Sequence, residues 1–212
     1  MITFLVNPGH GGILHGKYTT PGKRSPVWDV DSHGREIRYY EGDGNRKIAH
    51  LLMIMLMHEG IDYYDITDGT VRDIGLDERS GVAWKYCNSH PDDTVIGIDL
   101  HSNAGGGSGF EAITYPGDNM ADELAEYMYD EFQHEFPGFP VRTDHSDGDS
   151  DKERSDLYML RNTPCPWVIA ESFFMDNEIE CRNILMKPHG RHGIAKFLFR
   201  AIKRFCDAHR GL

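Results

Sequence analysis

Thr94-Val95-Ile96-Gly97-Ile98-Asp99-Leu100 is an almost unbroken apolar run of strand length, bounded by Pro91-Asp92-Asp93 before it and His101-Ser102-Asn103-Ala104 after it. A run without polar alternation belongs at the centre of a sheet that is covered on both faces. Ile2-Thr3-Phe4-Leu5-Val6 and Pro166-Trp167-Val168-Ile169-Ala170 have the same character, and Ile61 to Thr67 and Phe110 to Tyr115 read as further strands. Helices fall between them. Ile48, Leu51, Leu52, Met55 and Leu56 repeat at helical spacing as far as Gly60, and a shorter helix runs from Asp77 to about His90. Met120, Leu124, Tyr127, Met128 and Phe132 mark a helix that stops near Pro137-Gly138. Ile194, Phe197, Leu198, Ala201, Ile202 and Phe205 give an amphipathic terminal helix. Strands alternating with helices predict an α/β fold, a three-layer sandwich whose mixed, mostly parallel sheet is covered by helices on both faces. With 212 residues and no internal repeats, residues 1–212 are expected to form a single domain.

The composition excludes several classes of function. Hydrophobic residues make up 39% of the chain and charged residues 26%, which rules out a wholly disordered chain. A net charge of -12 argues against a nucleic-acid partner, since neutralising phosphates needs a basic surface. No apolar run approaches the ~20 residues that cross a bilayer, so no membrane insertion is expected. Lys187, Arg191, Lys196, Arg200, Lys203 and Arg204 cluster near the carboxyl end and read as a solvated helix face. Cys87, Cys165, Cys181 and Cys206 are widely spaced without a C-x-x-C pair. They are expected to be free thiols.

Three stretches carry no sustained period. Residues 13–40 form a long loop of the kind that is usually functional or mobile. Gly105-Gly106-Gly107-Ser108-Gly109 lacks the Gly-Lys-Ser/Thr of a phosphate cradle, and Phe110 stands where a nucleophile elbow around Ser108 needs its final Gly. Residues 142–156 hold Asp147, Asp149 and Asp151, but Lys152 and Tyr158 stand where a calcium loop needs Gly and Glu. A solvated loop on the rim of a cleft is the expectation there.

Candidate chemistry gathers at element ends. His10, in Asn7-Pro8-Gly9-His10-Gly11-Gly12, and His101 each follow a predicted strand. Two imidazoles from distant parts of a chain make a good start on a zinc site. Glu41 lies where a loop turns into the first helix, and Glu171 directly follows the strand ending at Ala170. A carboxylate in that position is costly unless something cationic or catalytic holds it. The four side chains point to one site. His50, His58, His90, His189, His192 and His209 receive no role, and His15 and His33 reach a substrate only if the 13–40 loop folds over the cleft.

With these residues in place, the chain resembles the zinc-dependent N-acetylmuramoyl-L-alanine amidase family, whose domain starts on a Pro-Gly-His-Gly-Gly turn. The resemblance runs in order through Pro8 to Gly12, Glu41 with Asn45, Arg79 with Cys87-Asn88, His101 to Ala104, Gly109-Phe110-Glu111, and Glu171 with Phe174 and Asn177. It implies that His10, Glu41 and His101 hold one Zn2+ ion, that Glu171 is the catalytic carboxylate, and that the substrate is the amide joining muramic acid to the L-Ala of the stem peptide in bacterial peptidoglycan. Asn7 stands where the family commonly has Asp, the 13–40 loop is longer than usual, and Thr67-Asp68 replaces a common Thr-Arg.

Two His and one Glu would leave a coordination position for water, with Glu171 as general base and then general acid. Two other readings stay open: a zinc metallopeptidase of carboxypeptidase type, and a peptidoglycan-binding protein without turnover. No basic leader or cleavage site precedes the first turn. Either export uses another route or a leader is missing; the expectation is a protein made in the cytoplasm, in the manner of a lysin, that acts at the cell wall, and a monomer.

Overall fold

In the computed structural model, which describes residues 1–146 and 148–210, the 94–100 run lies in the middle of a six-stranded sheet. In chain order the elements are β1 (Ile2–Pro8), β2 (Ile13–Leu14), β3 (Lys17–Tyr18), β4 (Asp29–Val30), β5 (Glu36–Ile37), α1 (Glu41–Glu59), β6 (Asp62–Asp65), α2 (Leu76–Ser89), β7 (Thr94–Asn103) and β8 (Phe110–Thr114). There follow α3 (Met120–Glu135), β9 (Lys152–Glu153), α4 (Tyr158–Asn162), β10 (Trp167–Phe174), α5 (Glu178–Glu180) running into a π turn at Cys181–Leu185, and α6 (Pro188–Ala208). The strand order is β6-β1-β7-β10-β8-β9. All neighbours are parallel except β8 and β10.

Alternation along the strands sorts the core into two layers. Phe4, Val6, Ile96, Ile98, Leu100, Val168 and Ala170 face the larger core, packed with Leu52 of α1, Phe132 of α3 and Phe197 and Phe205 of α6. Leu5, Val95, Ile113, Trp167 and Ile169 face a smaller one, closed by Ala83 of α2 and Met159 and Leu160 of α4. A large side chain that is fully buried, such as Phe4, Leu5, Phe132 or Phe197, stabilises the fold by ~1.5–3 kcal/mol of transfer free energy. Continuing the second set toward the same end of the sheet gives Asn7, Asp99, His101, Glu111 and Glu171. They lie on the face of the sheet that α2 and α4 cover.

Several expectations change. Glu171 does not terminate its strand: β10 continues to Phe174, with a register shift between Glu171 and Phe174. Residues 13–40 are not featureless, since they fold into two small antiparallel hairpins. The 142–156 stretch is not wholly solvated. Asp151 is 1% exposed and accepts from Thr114 Oγ1, while Lys152–Glu153 adds the sixth strand. Asp147, part of the calcium reading set aside above, lies outside the described residues. The basic face of α6 is paired to acidic neighbours, Lys196 and Arg200 with Glu135, Lys203 with Glu59, and Arg204 with Asp130 and Glu131. Such exposed pairs contribute under ~1 kcal/mol each. The four cysteines are free thiols, each with its pKa pushed up by burial. No helix among the described residues is long and apolar enough to cross a membrane.

Candidate metal centre

His10, Glu41 and His101 meet at the carboxyl end of β1 and β7. Their ligand atoms all lie within 4.8 Å of one another. Glu41, 2% exposed, is the first residue of α1, and its Oε1 stands 3.0 Å from His101 Nδ1 and 3.3 Å from His10 Nε2. The backbone N–H of Ser102 also donates to Oε1, at 3.3 Å. The imidazoles meet edge to face with centroids 4.9 Å apart. Gly9 is required beside them: a Cβ there would lie 2.2 Å from the His101 ring.

His10 has a left-handed backbone, φ 64°, a strained state for a residue with a side chain. Its carbonyl is clamped by two guanidiniums, Arg46 Nη1 donating at 2.6 Å and Arg79 Nη2 at 3.1 Å. Arg79, 2% exposed, also donates to Pro8 O at 3.0 Å, to Ile74 O at 3.1 Å and to Asn7 Oδ1. Asn7 Nδ2 and Trp167 Nε1 in turn donate to Asp99 Oδ1 at 2.6 and 2.9 Å. The Asn7 that departs from the common pattern is thus a linker between a buried cation and a buried acid. A cavity of about 330 Å³ lined by Asn7, His10, Asp73, Arg79, Asp99 and His101 opens alongside.

The electrostatics favour a cation. Burial works against the Glu41 carboxylate, but His10 and His101 outweigh it and hold its pKa well below the usual range. Burial lowers His10. It acts the same way on His101, where Glu41, Glu171 and Asp99 overcome it and raise the pKa to about 9. Glu41 Oε2 and His10 Nε2 are buried without a hydrogen-bond partner. Donors held ~2.0–2.1 Å from a tetrahedral ion stand ~3.3 Å apart, close to the separations of 3.0 and 3.3 Å seen here. The three residues fit a metal ion.

Glu171 sits beside this group, directly across from His101 in the β7–β10 register. Burial, with the nearby Glu41 and Glu111, pushes its pKa up to about 7 against the pull of His101. The backbone just beyond it is bent by Phe173, φ 63°, whose fully buried ring packs 5.3 Å from Phe132, 4.9 Å from Phe136 and 5.1 Å from Phe139. That packing offsets the strain and fixes the bulge after Glu171. The other histidines lie elsewhere, His90 stacked on Tyr86 and His209 paired with Glu123. Among the described residues, the first three form the one group with metal-binding geometry.

Sequence reasoning assigned no role to Arg46, Asn7 or Glu111. Glu111 lies directly opposite Glu171 on β8 and accepts from Asn103, Arg142 and Lys152. The signal was the alternation Glu111-Ala112-Ile113, which puts this acid in the same phase as the inward-facing Ile113.

Comparison with known proteins places the chain. A family model described as N-acetylmuramoyl-L-alanine amidase matches residues 4–204. The amidase CwlM of Bacillus licheniformis is 25% identical over 186 residues, 84% of this chain, and the chain spans 58% of that relative's length. Among solved structures, the amidase Ami1 of Mycobacterium smegmatis superposes with a TM-score of 0.71 at 22% identity, over 98% of this chain and 97% of that one. The amidase CwlD of Clostridioides difficile, solved in complex with the GerS lipoprotein, gives 0.68 at 18% identity, over 97% and 98%. These structural likenesses establish the fold.

Proposed function

The chain belongs to the N-acetylmuramoyl-L-alanine amidase family, and from that premise we propose that it hydrolyses the amide between N-acetylmuramic acid and the stem-peptide L-Ala of peptidoglycan. In this reading His10, Glu41 and His101 hold one zinc ion and Glu171 moves the proton. The observation that carries it is the convergence of the three ligand atoms within 4.8 Å beside a carboxyl group in register with His101.

A zinc ion held by His10, Glu41 and His101 would supply Lewis acidity toward the amide carbonyl and toward water near neutral pH. The chain's own groups do the rest. Glu171, buried beside the ligand group with its carboxyl pushed toward the protonated form, takes a proton from the attacking water and later returns one. As the carbon–nitrogen bond breaks, that proton passes to the departing nitrogen. The products are a carboxylate on muramic acid and a free amino group on L-Ala. The Arg46 and Arg79 clamp holds His10 in its strained backbone, which keeps the ligand set in place without substrate.

The test is digestion of purified muropeptides alongside plain peptides, with and without chelator. New L-Ala amino termini that vanish on chelation and return with zinc support the amidase. Cleavage of plain peptides at their carboxyl ends supports the carboxypeptidase reading, and binding without release supports the wall-binding one. The same proposal takes residues 1–212 as one catalytic domain that works as a monomer at the cell wall. Light scattering and fractionation of producing cells test this part.

A further inference from the structure

Beside Glu171 lies a charged group that the hydrolysis leaves unused. Glu111, 8% exposed, receives Asn103 Nδ2 on Oε1 at 2.7 Å, and on Oε2 both Arg142 Nε at 2.8 Å and Lys152 Nζ at 2.5 Å. One carboxylate thus anchors two cations, leaving a local charge of about +1 on a chain whose net charge is -12. The anchor is buried and the cations are not: the Arg142 and Lys152 side chains are 41% and 29% exposed. The Arg142 guanidinium is further steadied 5.3 Å above the Phe174 ring. Glu111 takes only one of the five donors a guanidinium offers and one of the three on an ammonium, so the pair keeps donors for an incoming anion.

Glu171 and Glu111 face each other across β10 and β8, so the cations sit one side chain beyond the proton-transferring group. That span is within reach of the next residue or two of an extended peptide, at ~3.3–3.6 Å per residue. The substrate chemistry decides which part reaches it. In the glycan the sugars are N-acetylated and neutral, and the muramic acid carboxyl is consumed in the scissile amide. Free carboxylates remain only on the peptide.

We propose that Arg142 and Lys152, seated on Glu111, form a subsite for the free carboxylate of the residue that follows L-Ala in the stem peptide. The subsite orients the scissile amide by placing the peptide on the β8 side of the metal centre. This inference rests on the amidase reading and adds a specificity to it.

The test compares two synthetic substrates with the zinc-loaded protein, both capped as the γ-methylamide so that no second free carboxylate is present: N-acetylmuramyl-L-Ala-D-glutamate γ-methylamide, which keeps the α-carboxylate, and N-acetylmuramyl-L-Ala-D-isoglutamine γ-methylamide, in which it is a carboxamide. The expected result is a kcat/KM about tenfold higher for the carboxylate, carried mainly by KM, the scale of one charge-assisted hydrogen bond at a partly exposed site. Lys152→Met and Arg142→Leu should each erase most of that preference, and Lys152→Arg should restore it. Equal KM for both substrates in the unmodified protein overturns the subsite, and that comparison needs no variant to fold. A preference that survives both substitutions overturns it as well. Failure to cleave either substrate overturns the amidase reading and this subsite with it.

Discussion

Glu171 of β10 stands directly opposite His101 of β7, so a carboxyl group with a pKa of about 7 and a metal-ligating candidate share one rung of a parallel ladder. The relationship is set by strand phase. Ile169 and Trp167 below Glu171 pack into the smaller core, and a slip of one residue would turn all three to the other face.

Because Glu171 lies outside the three-residue metal group, proton transfer and metal binding should separate. Glu171→Gln is expected to lower kcat by ~10²–10⁴-fold, the range for removing a general acid or base, while zinc affinity stays within a few-fold. Steady-state kinetics and zinc competition titration read both. A variant that also loses zinc would make Glu171 a ligand.

Arg79 is expected to matter for stability and for metal binding together. Arg79→Met leaves the carbonyls of Pro8, Ile74 and His10 without this donor, at a cost of about 3 kcal/mol, and relaxes the His10 backbone. Urea unfolding and zinc titration should both show the loss. Arg79→Lys should not restore it, because an ammonium cannot reproduce the planar fork. Unchanged zinc affinity in a folded Arg79→Met protein would remove the clamp from the account.

Metal binding should show as thermal stability. A ligand that binds only the folded state at ~1,000 times its Kd adds ~4.1 kcal/mol, so zinc should raise Tm and a chelator should reverse the rise. Glu41→Gln, which removes the shared carboxylate, should abolish the response. Calorimetry with and without zinc decides it.

Asp151 gives a pH prediction away from the centre. Burial and the neighbouring Asp122 raise its pKa above the ordinary aspartate range, against the Thr114 hydroxyl. The folded state therefore holds the proton more tightly than the unfolded chain, and this contribution to stability is lost as pH rises from the unfolded value of ~3.9 through the raised folded one. Asp151→Asn keeps an acceptor for Thr114 and removes the charge. It should melt higher than the parent at pH 7, with the advantage fading below pH ~4 in melts across that range. An advantage that grows with acidity would reverse the sign.

The layers of the fold were legible because buried strands and amphipathic helices leave periodic marks: the 94–100 run is the central strand, and the 48–56 period is α1. The five residues of α4 and the two-residue strands β2 to β5 and β9 are too short to show a period, and their positions are set by tertiary contacts. That His10 follows β1 and Glu41 opens α1 could be read from the sequence, whereas His101 and Glu171 lie inside β7 and β10, which run on to Asn103 and Phe174, and reach the same site through strand phase. The bulge beyond Glu171 could not, since it depends on Phe173 packing against aromatic rings from α3 and the loop after it. Nor could the Arg46 and Arg79 clamp, because backbone carbonyls carry no sequence signature.

The most direct measurement is X-ray absorption at the zinc edge on protein loaded with one equivalent of zinc. The account predicts one zinc per chain, surrounded only by nitrogen and oxygen at ~2.0–2.2 Å with two imidazole signatures, and loss of that spectrum in His10→Ala. Sulfur scattering at ~2.3 Å, or an unchanged spectrum in His10→Ala, would place the metal elsewhere and contradict the account.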